Sequence, residues 1–257
     1  MPRFSANISV LFTEVPVIER IALASKAGFD AIEIQFPYSC QLSEFADAMA
    51  YSQLPLALMN CPAGDFMTGG QGNAAVPGRE GEFSQALEQA LEWARVLKPE
   101  AINVLAGRPA ATLDRNACMA VLEANLSKAF AAFRPLNIAL LTEAINSVDI
   151  PGSFLSQSQQ VVELIANLPA IDLYLQYDIY HMHRMEELSV ERMQALMPLI
   201  GHIQFADAPG RMEPGTGEID FSALFDAIDG SQYPGFVGAE YRPSVATEAS
   251  LGWLNPR

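Results

Sequence analysis

Apolar residues along the chain fall into two alternating kinds of run. Short β-branched or aromatic stretches occur near 3–10 (RFSANISV), 30–36 (DAIEIQF), 54–60 (LPLALMN) and 101–106 (AINVLA). Four more follow near 137–143 (NIALLTE), 171–178 (IDLYLQYD), 201–206 (GHIQFA) and 235–241 (GFVGAEY), giving eight expected strands. Longer segments with helical spacing lie between them. Glu19 to Ala24 leads into Ala27-Gly28, where Gly28 suits the left-handed residue that ends a helix. Arg79 to Leu97 aligns Phe83, Leu87, Ala90, Leu91 and Ala94 on one face. Leu113 to Phe133 does the same with Ala117, Val121, Leu122, Leu126 and Phe130, and Pro99, Pro135 and Pro169 each stop a helical run. Strand followed by helix, repeated, requires right-handed crossovers and a parallel sheet. Eight such units in 257 residues close most simply into a single (β/α)₈ barrel of the α/β class, with residues 1–257 as one domain. An open doubly wound sheet would carry a glycine-rich turn after its first strand, and Ser9-Val10-Leu11-Phe12 holds no glycine.

Composition narrows the partners. Thirty Asp and Glu against fifteen Lys and Arg leave a formal charge of −15, which repels phosphate backbones and anionic lipid. Neither nucleic acid nor a membrane is an expected partner, and no apolar run reaches a membrane-spanning length. Cys40, Cys61 and Cys118 are odd in number and unpaired in spacing, as in a reducing cytoplasm, and they form no zinc motif. Lys26, Lys98 and Lys128 all fall on expected helices, which disfavours Schiff-base chemistry.

In a barrel the reacting groups sit at the carboxyl ends of the strands. Polar residues interrupt the apolar runs there: Glu33 on the second strand, Asn60 at the end of the third, Glu143 of the fifth and Asp178 of the sixth. Gln204 lies in the seventh and Glu240 near the end of the eighth. One such carboxylate is often only the cap of the next helix. Four oxygen-bearing side chains on successive strands instead suggest an octahedral site for Mg²⁺ or Mn²⁺, since converging carboxylates without a cation would repel and protonate. His181, three residues past Asp178, would face the same point if the strand turned into a loop, whereas His183 reads as a helix cap and His202 as a satisfied core histidine. Arg211, ahead of the Gly/Pro stretch 213–220, could reach an anionic group; the long Gly-rich loop 63–72 has the length of a functional loop.

The segments RFSANISVLF (3–12), CPAGD (61–65), PGREGEF (77–83), EAIN (143–146) and DIPG (149–152) resemble those of the hydroxypyruvate isomerase family, within the xylose-isomerase-like barrels. So do QYDIYHMHRME (176–186), GHIQFAD (201–207), EPGTGEID (213–220) and GAEYRP (238–243). The resemblance spans essentially the whole chain. It implies a divalent cation, Mg²⁺ or Mn²⁺, at Glu143, Asp178, Gln204 and Glu240, with Glu143 and Glu240 also acting as an acid/base pair. It further implies isomerisation of hydroxypyruvate to 2-hydroxy-3-oxopropanoate through an enediolate. The related epimerases usually carry histidine at the strand-seven ligand, where this chain has Gln204. Ala144 stands where these isomerases commonly have proline, and His183 where glutamine is common. A small hydroxy or keto acid is the expected partner, with His181, Arg211, Asp149 and Asn60 as substrate-binding residues and Arg108 a further candidate for its carboxylate. Relatives acting on 2-oxo-tetronate share nearly all these motifs, and 3-epimerisation of a ketose is a further alternative on the same scaffold; a non-catalytic sugar-acid binder would be expected to have lost one of the four ligand positions. Self-association into a homo-oligomer is left open.

Overall fold

The computed structural model describes residues 1–254, and in it eight parallel strands close into a barrel in sequence order. The strands are β1 (Arg3–Asn7), β2 (Ala31–Ile34), β3 (Leu56–Asn60), β4 (Ala101–Asn103), β5 (Ala139–Glu143), β6 (Leu173–Asp178), β7 (Ile200–Phe205) and β8 (Phe236–Ala239). Five long or medium helices cross between consecutive strands: α1 (Val17–Ala27), α2 (Leu42–Ser52), α3 (Glu80–Leu97), α4 (Arg115–Phe133) and α5 (Ser158–Asn167). The short α6 (Ile179–Arg184) and α7 (Val190–Leu196) share the β6–β7 connection, and α8 (Phe221–Gly230) precedes β8. Gly28 ends α1 at φ +91, as the sequence suggests.

Two expected strands are shorter than their apolar runs. β1 stops at Asn7, because the Val10 and Leu11 amides turn back to its carbonyl and its side-chain oxygen accepts from Ser9 N. β4 stops at Asn103, and the apolar Val104 to Ala106 continue as buried loop.

Alternation along each strand separates two environments. On β7, Ile203 and Phe205 enter the main apolar core, where Phe205 meets Phe4, Phe225 and Trp253 edge to face. His202 and Gln204 lie on the opposite face and reach across the interior to Glu33 of β2. The upper interior of the barrel is therefore polar: Ser5, Asn7, Glu33, Asn103, Gln176, His202 and Gln204 are all buried. Buried polar groups persist only when hydrogen-bonded, and Glu33 accepts from four of these neighbours. His202 is thus the satisfied interior histidine that its position suggests, with Nε2 2.7 Å from Glu33 Oε2.

Two long loops close over the carboxyl end. The loop ahead of α3 is pinned by Asp65, which accepts from Gly72 N and pairs with Arg79 at 2.9 Å. Arg108 donates to Gly70 O and so ties this loop down. The loop ahead of α8 is organised by the buried Asp207, whose carboxylate accepts from the amides of Gly215, Gly217 and Ile219. Gly217 passes so close to the Ala208 carbonyl that a Cβ there would collide with it.

Candidate active site

Glu143 ends β5 and Asp178 ends β6, so the strand register places both at the mouth of the barrel. Asn103 Nδ2 donates to Glu143 Oε2 at 3.2 Å. Asp178 acts in two ways. Its Oδ1 accepts from Tyr180 N and caps α6, while Oδ2 lies 3.5 Å from His181 Nε2 and 3.5 Å from Arg211 Nη2. The capping role is thus taken by one oxygen, and the other is left facing the mouth of the barrel. β6 runs straight into α6 rather than into a loop, yet helical spacing still brings His181 Nε2 to within 3.6 Å of Glu143 Oε1.

The tautomer of His181 follows from its neighbours. The Asn146 amide is held by Asp149, whose backbone N–H donates to Asn146 Oδ1 and whose Oδ2 accepts from Asn146 Nδ2. The Asn146 nitrogen therefore faces His181 Nδ1 at 2.7 Å, which makes Nδ1 the acceptor and leaves the proton on Nε2. Burial pushes the His181 pKa down to about 4, with Arg211 adding to the effect and Asp178 and Asp149 opposing it. At neutral pH the imidazole is an uncharged donor aimed between Glu143 and Asp178.

Glu240 follows β8 and is buried. Its Oε2 accepts from Arg211 at 2.9 Å, and its Oε1 accepts from Asn7 and Gln35. Burial pushes its pKa up to about 7; the nearby charges of Asp178 and Glu33 add to this and Arg211 opposes it. Glu143 is raised well above the usual carboxylate range, by burial first and then by Glu240 and Asp178. Burial works against the charge of Arg211, but Glu240, Asp178 and Glu143 together hold its guanidinium more firmly protonated than usual. Arg211 adopts a left-handed backbone at φ +54, and its guanidinium lies 5.1 Å from the centroid of the Tyr180 ring.

The expected residues do not all share one place. Asn60, Glu143, His181, Gln204, Arg211 and Glu240 line one cavity at the mouth of the barrel. Asp149 lines an adjoining outer chamber together with Tyr180, Arg211 and Arg242, where it accepts from Tyr180 Oη at 2.7 Å. Arg108 lines neither space. His183 lies 3.8 Å from the exposed Glu218, outside both. Gln204 is at the cavity floor, with Oε1 accepting from Gln176 and Nε2 donating to Glu33. The Gly-rich loop contributes Phe66 and Met67 to the cavity wall. The sequence reading missed Gln35, Asn103, Asn146 and Gln176; each is an amide next to a titratable group, and no spacing rule singles them out.

The donor chemistry suits a divalent cation. Glu143, Asp178 and His181 offer potential ligand atoms within 4.8 Å of one another, and clustered carboxyl oxygens suit a hard divalent cation. Since His181 Nε2 carries a proton, Glu143 and Asp178 are the better donors of that group.

A family description of xylose isomerase-like TIM barrels matches residues 21–257, and the chain belongs to that family. Within it the chain is a hydroxypyruvate-isomerase-like enzyme. It is 42% identical to the hydroxypyruvate isomerase of Escherichia coli over 256 residues, covering 100% of this chain and 99% of that protein. It is 38% identical to a 2-oxo-tetronate isomerase of Cupriavidus necator, covering 100% and 98%. A Brucella melitensis crystal structure described as an AP endonuclease of family 2 superposes with a TM-score of 0.95 at 34% identity, covering 100% of this chain and 99% of that one. No helix among the described residues is long and apolar enough to cross a membrane.

Proposed function

We propose that this enzyme interconverts hydroxypyruvate and 2-hydroxy-3-oxopropanoate by a 1,2 proton shift. The observation that carries the reading is the pair of buried glutamates, Glu143 from β5 and Glu240 after β8, both lining one cavity. A proton must leave C3 and another must be delivered to C2, through an enediolate. Two buried carboxyl groups on different strands suit those tasks. Glu240, beside Arg211, is the readier of the two to be ionised and is proposed as the base; Glu143 returns the proton. His181 Nε2–H donates to a substrate oxygen, and Arg211 and Asn60 hold the rest of the acid.

Glu143, Asp178, Gln204 and Glu240 are the proposed residues for a divalent cation, Mn²⁺ or Mg²⁺. When bound, such an ion supplies Lewis-acid stabilisation of the charge that develops on the substrate oxygens.

A second reading, isomerisation of the four-carbon 2-oxo-tetronate, is favoured by the Cupriavidus relative and by the outer chamber beyond the cavity. A nuclease reading meets a formal charge of −15 and three carboxylates at the mouth, which repel a phosphate backbone. The deciding experiment is proton NMR in D₂O, with Mn²⁺ supplied and each acid given separately. Turnover of hydroxypyruvate with deuterium incorporation at the new C–H bond is expected. Turnover of 2-oxo-tetronate alone would transfer the assignment to the second reading.

A further inference from the structure

Glu33 belongs to the barrel interior and has no part in the proton shift just described, yet it is fully buried and saturated with donors. Its Oε1 accepts from Gln204 Nε2 at 2.7 Å and Asn7 Nδ2 at 3.1 Å; its Oε2 accepts from Ser5 Oγ at 2.8 Å and His202 Nε2 at 2.7 Å. Space for this carboxylate exists because position 238 of β8 is glycine: a Cβ there would collide with Glu33. Ser5, Asn7 and Gln204 all donate to this carboxylate, so in this arrangement it serves them only as an acceptor.

That restriction travels outward. Gln204 must turn its NH₂ group towards Glu33, so its carbonyl oxygen faces the other way. Gln176, its neighbour across the barrel wall on β6, then has to offer its own NH₂ to that oxygen, and does so at 2.5 Å. The last oxygen in the series, Gln176 Oε1, is left buried with no hydrogen-bond partner among the described residues. An unpaired buried acceptor is costly and calls for a donor. Gln176 is 2% exposed and lines the cavity with Glu143, His181 and Glu240. Asn103 Oδ1 is also unpaired, but Asn103 does not line that cavity.

We infer that Glu33 is a positioning residue that sets the direction of the Gln204 and Gln176 amides, so that Gln176 presents a free carbonyl oxygen to a hydroxyl group of the substrate. Gln176 thereby becomes a specificity-determining residue: it rewards an acid that carries a hydroxyl and rejects one that lacks it. The inference rests on the proposed hydroxy or keto acid substrate. A site built to hydrogen-bond a hydroxyl discriminates strongly against the analogue without it, because its own polar group is then left unpaired.

The test compares two unreactive acids that differ by one hydroxyl, D-glycerate and D-lactate, by calorimetric titration of the purified protein with Mn²⁺ supplied. The wild type is expected to favour D-glycerate by about tenfold or more. Gln176→Met keeps the length and volume of the side chain but removes the acceptor, and is expected to bring the ratio close to one. Glu33→Met removes the acceptor that fixes the Gln204 NH₂ group, leaves the amide series free to turn, and is expected to lower the ratio while KM for hydroxypyruvate rises more than kcat falls. A residue with only a structural role would lower the melting temperature and leave the ratio alone. A ratio that persists in Gln176→Met overturns the inference, whether or not Glu33→Met folds. A ratio lost in Gln176→Met but kept in a folded Glu33→Met overturns the role given to Glu33. Wild-type protein that binds both acids equally overturns the inference and leaves the proposed reaction standing, whereas binding of neither removes the substrate reading and the inference with it.

Discussion

Arg211 Nη2 stands 2.9 Å from Glu240 Oε2, and the same nitrogen lies 3.5 Å from Asp178 Oδ2. One guanidinium thus faces two of the three carboxylates at the mouth, and it is the largest influence opposing the upward shift of Glu240, ahead of the hydrogen bond from Gln35. Arg211→Met removes that opposition while keeping an unbranched side chain over Tyr180. The pH at which Glu240 ionises is then expected to rise by about one unit or more. The acid limb of the pH–rate profile should move upward with it, and kcat/KM at neutral pH should fall by roughly 10–10²-fold. An unmoved acid limb would show that Glu240 does not set it.

Chelation addresses the cation directly. Treatment with EDTA is expected to abolish turnover, and Mn²⁺ or Mg²⁺ to restore it, because Glu143 and Asp178 bring oxygen donors to one point. Full activity after exhaustive chelation would dismiss the ion from the reaction.

Substitution of the three carboxylates separates ligand from acid/base. Asp178→Asn keeps the Oδ1 acceptor that caps α6 and weakens the charge facing His181 and Arg211. Its loss of activity is expected to be recovered in part by excess Mn²⁺. Glu143→Gln and Glu240→Gln keep an oxygen but cannot exchange a proton. Each is expected to lose roughly 10²–10⁴-fold in kcat with a smaller change in Mn²⁺ affinity, measured by titration of the chelated protein. Exchange of the C3 proton with solvent, without product, would mark the variant that has lost only the second transfer. Near-normal kcat in both glutamine variants would sink the proposed chemistry.

The sequence made the strand ends legible because a polar residue terminating an apolar run is a local signal: Glu143 and Asp178 end β5 and β6 where the pattern suggests. The pairing of the interior residues left no such signal. Glu33 and His202 meet across 169 positions, and Ser5 and Glu33 across 28, so only closure of the barrel brings them together. The direction of an amide is further from reach, since it depends on which neighbour can only accept. Asn146 decides the tautomer of His181 for that reason, and nothing in EAIN announces it. Arg211 was legible as a cation in a loop, but its approach to Glu240 depends on a left-handed backbone and on loop anchors at Asp207.

The raised pKa of Glu240 also bears on stability, with a definite sign. Its folded value of about 7 exceeds the ordinary 4.5, so between those values the folded protein holds a proton that the unfolded chain has released. Stability therefore falls as pH rises through this window, and below about 4.5 the effect vanishes. His181 works in the opposite direction over much of the same range, because its pKa is lowered from 6.5 to about 4 and the unfolded chain is the one that binds the proton. The wild-type curve mixes these with Glu143, whose pKa is raised partly by Glu240, so a comparison of variants reads Glu240 together with its effect on Glu143. Glu240→Gln removes the carboxylate and leaves His181 in place. In chelated protein, the stability of Glu240→Gln relative to wild type is expected to increase by on the order of 2–3 kcal/mol from pH 4.5 to pH 8. Urea unfolding of both proteins at a series of pH values measures this difference. A difference that stays flat across the window would mean that Glu240 is ionised in the folded protein throughout, and that Arg211 alone is enough to hold its charge.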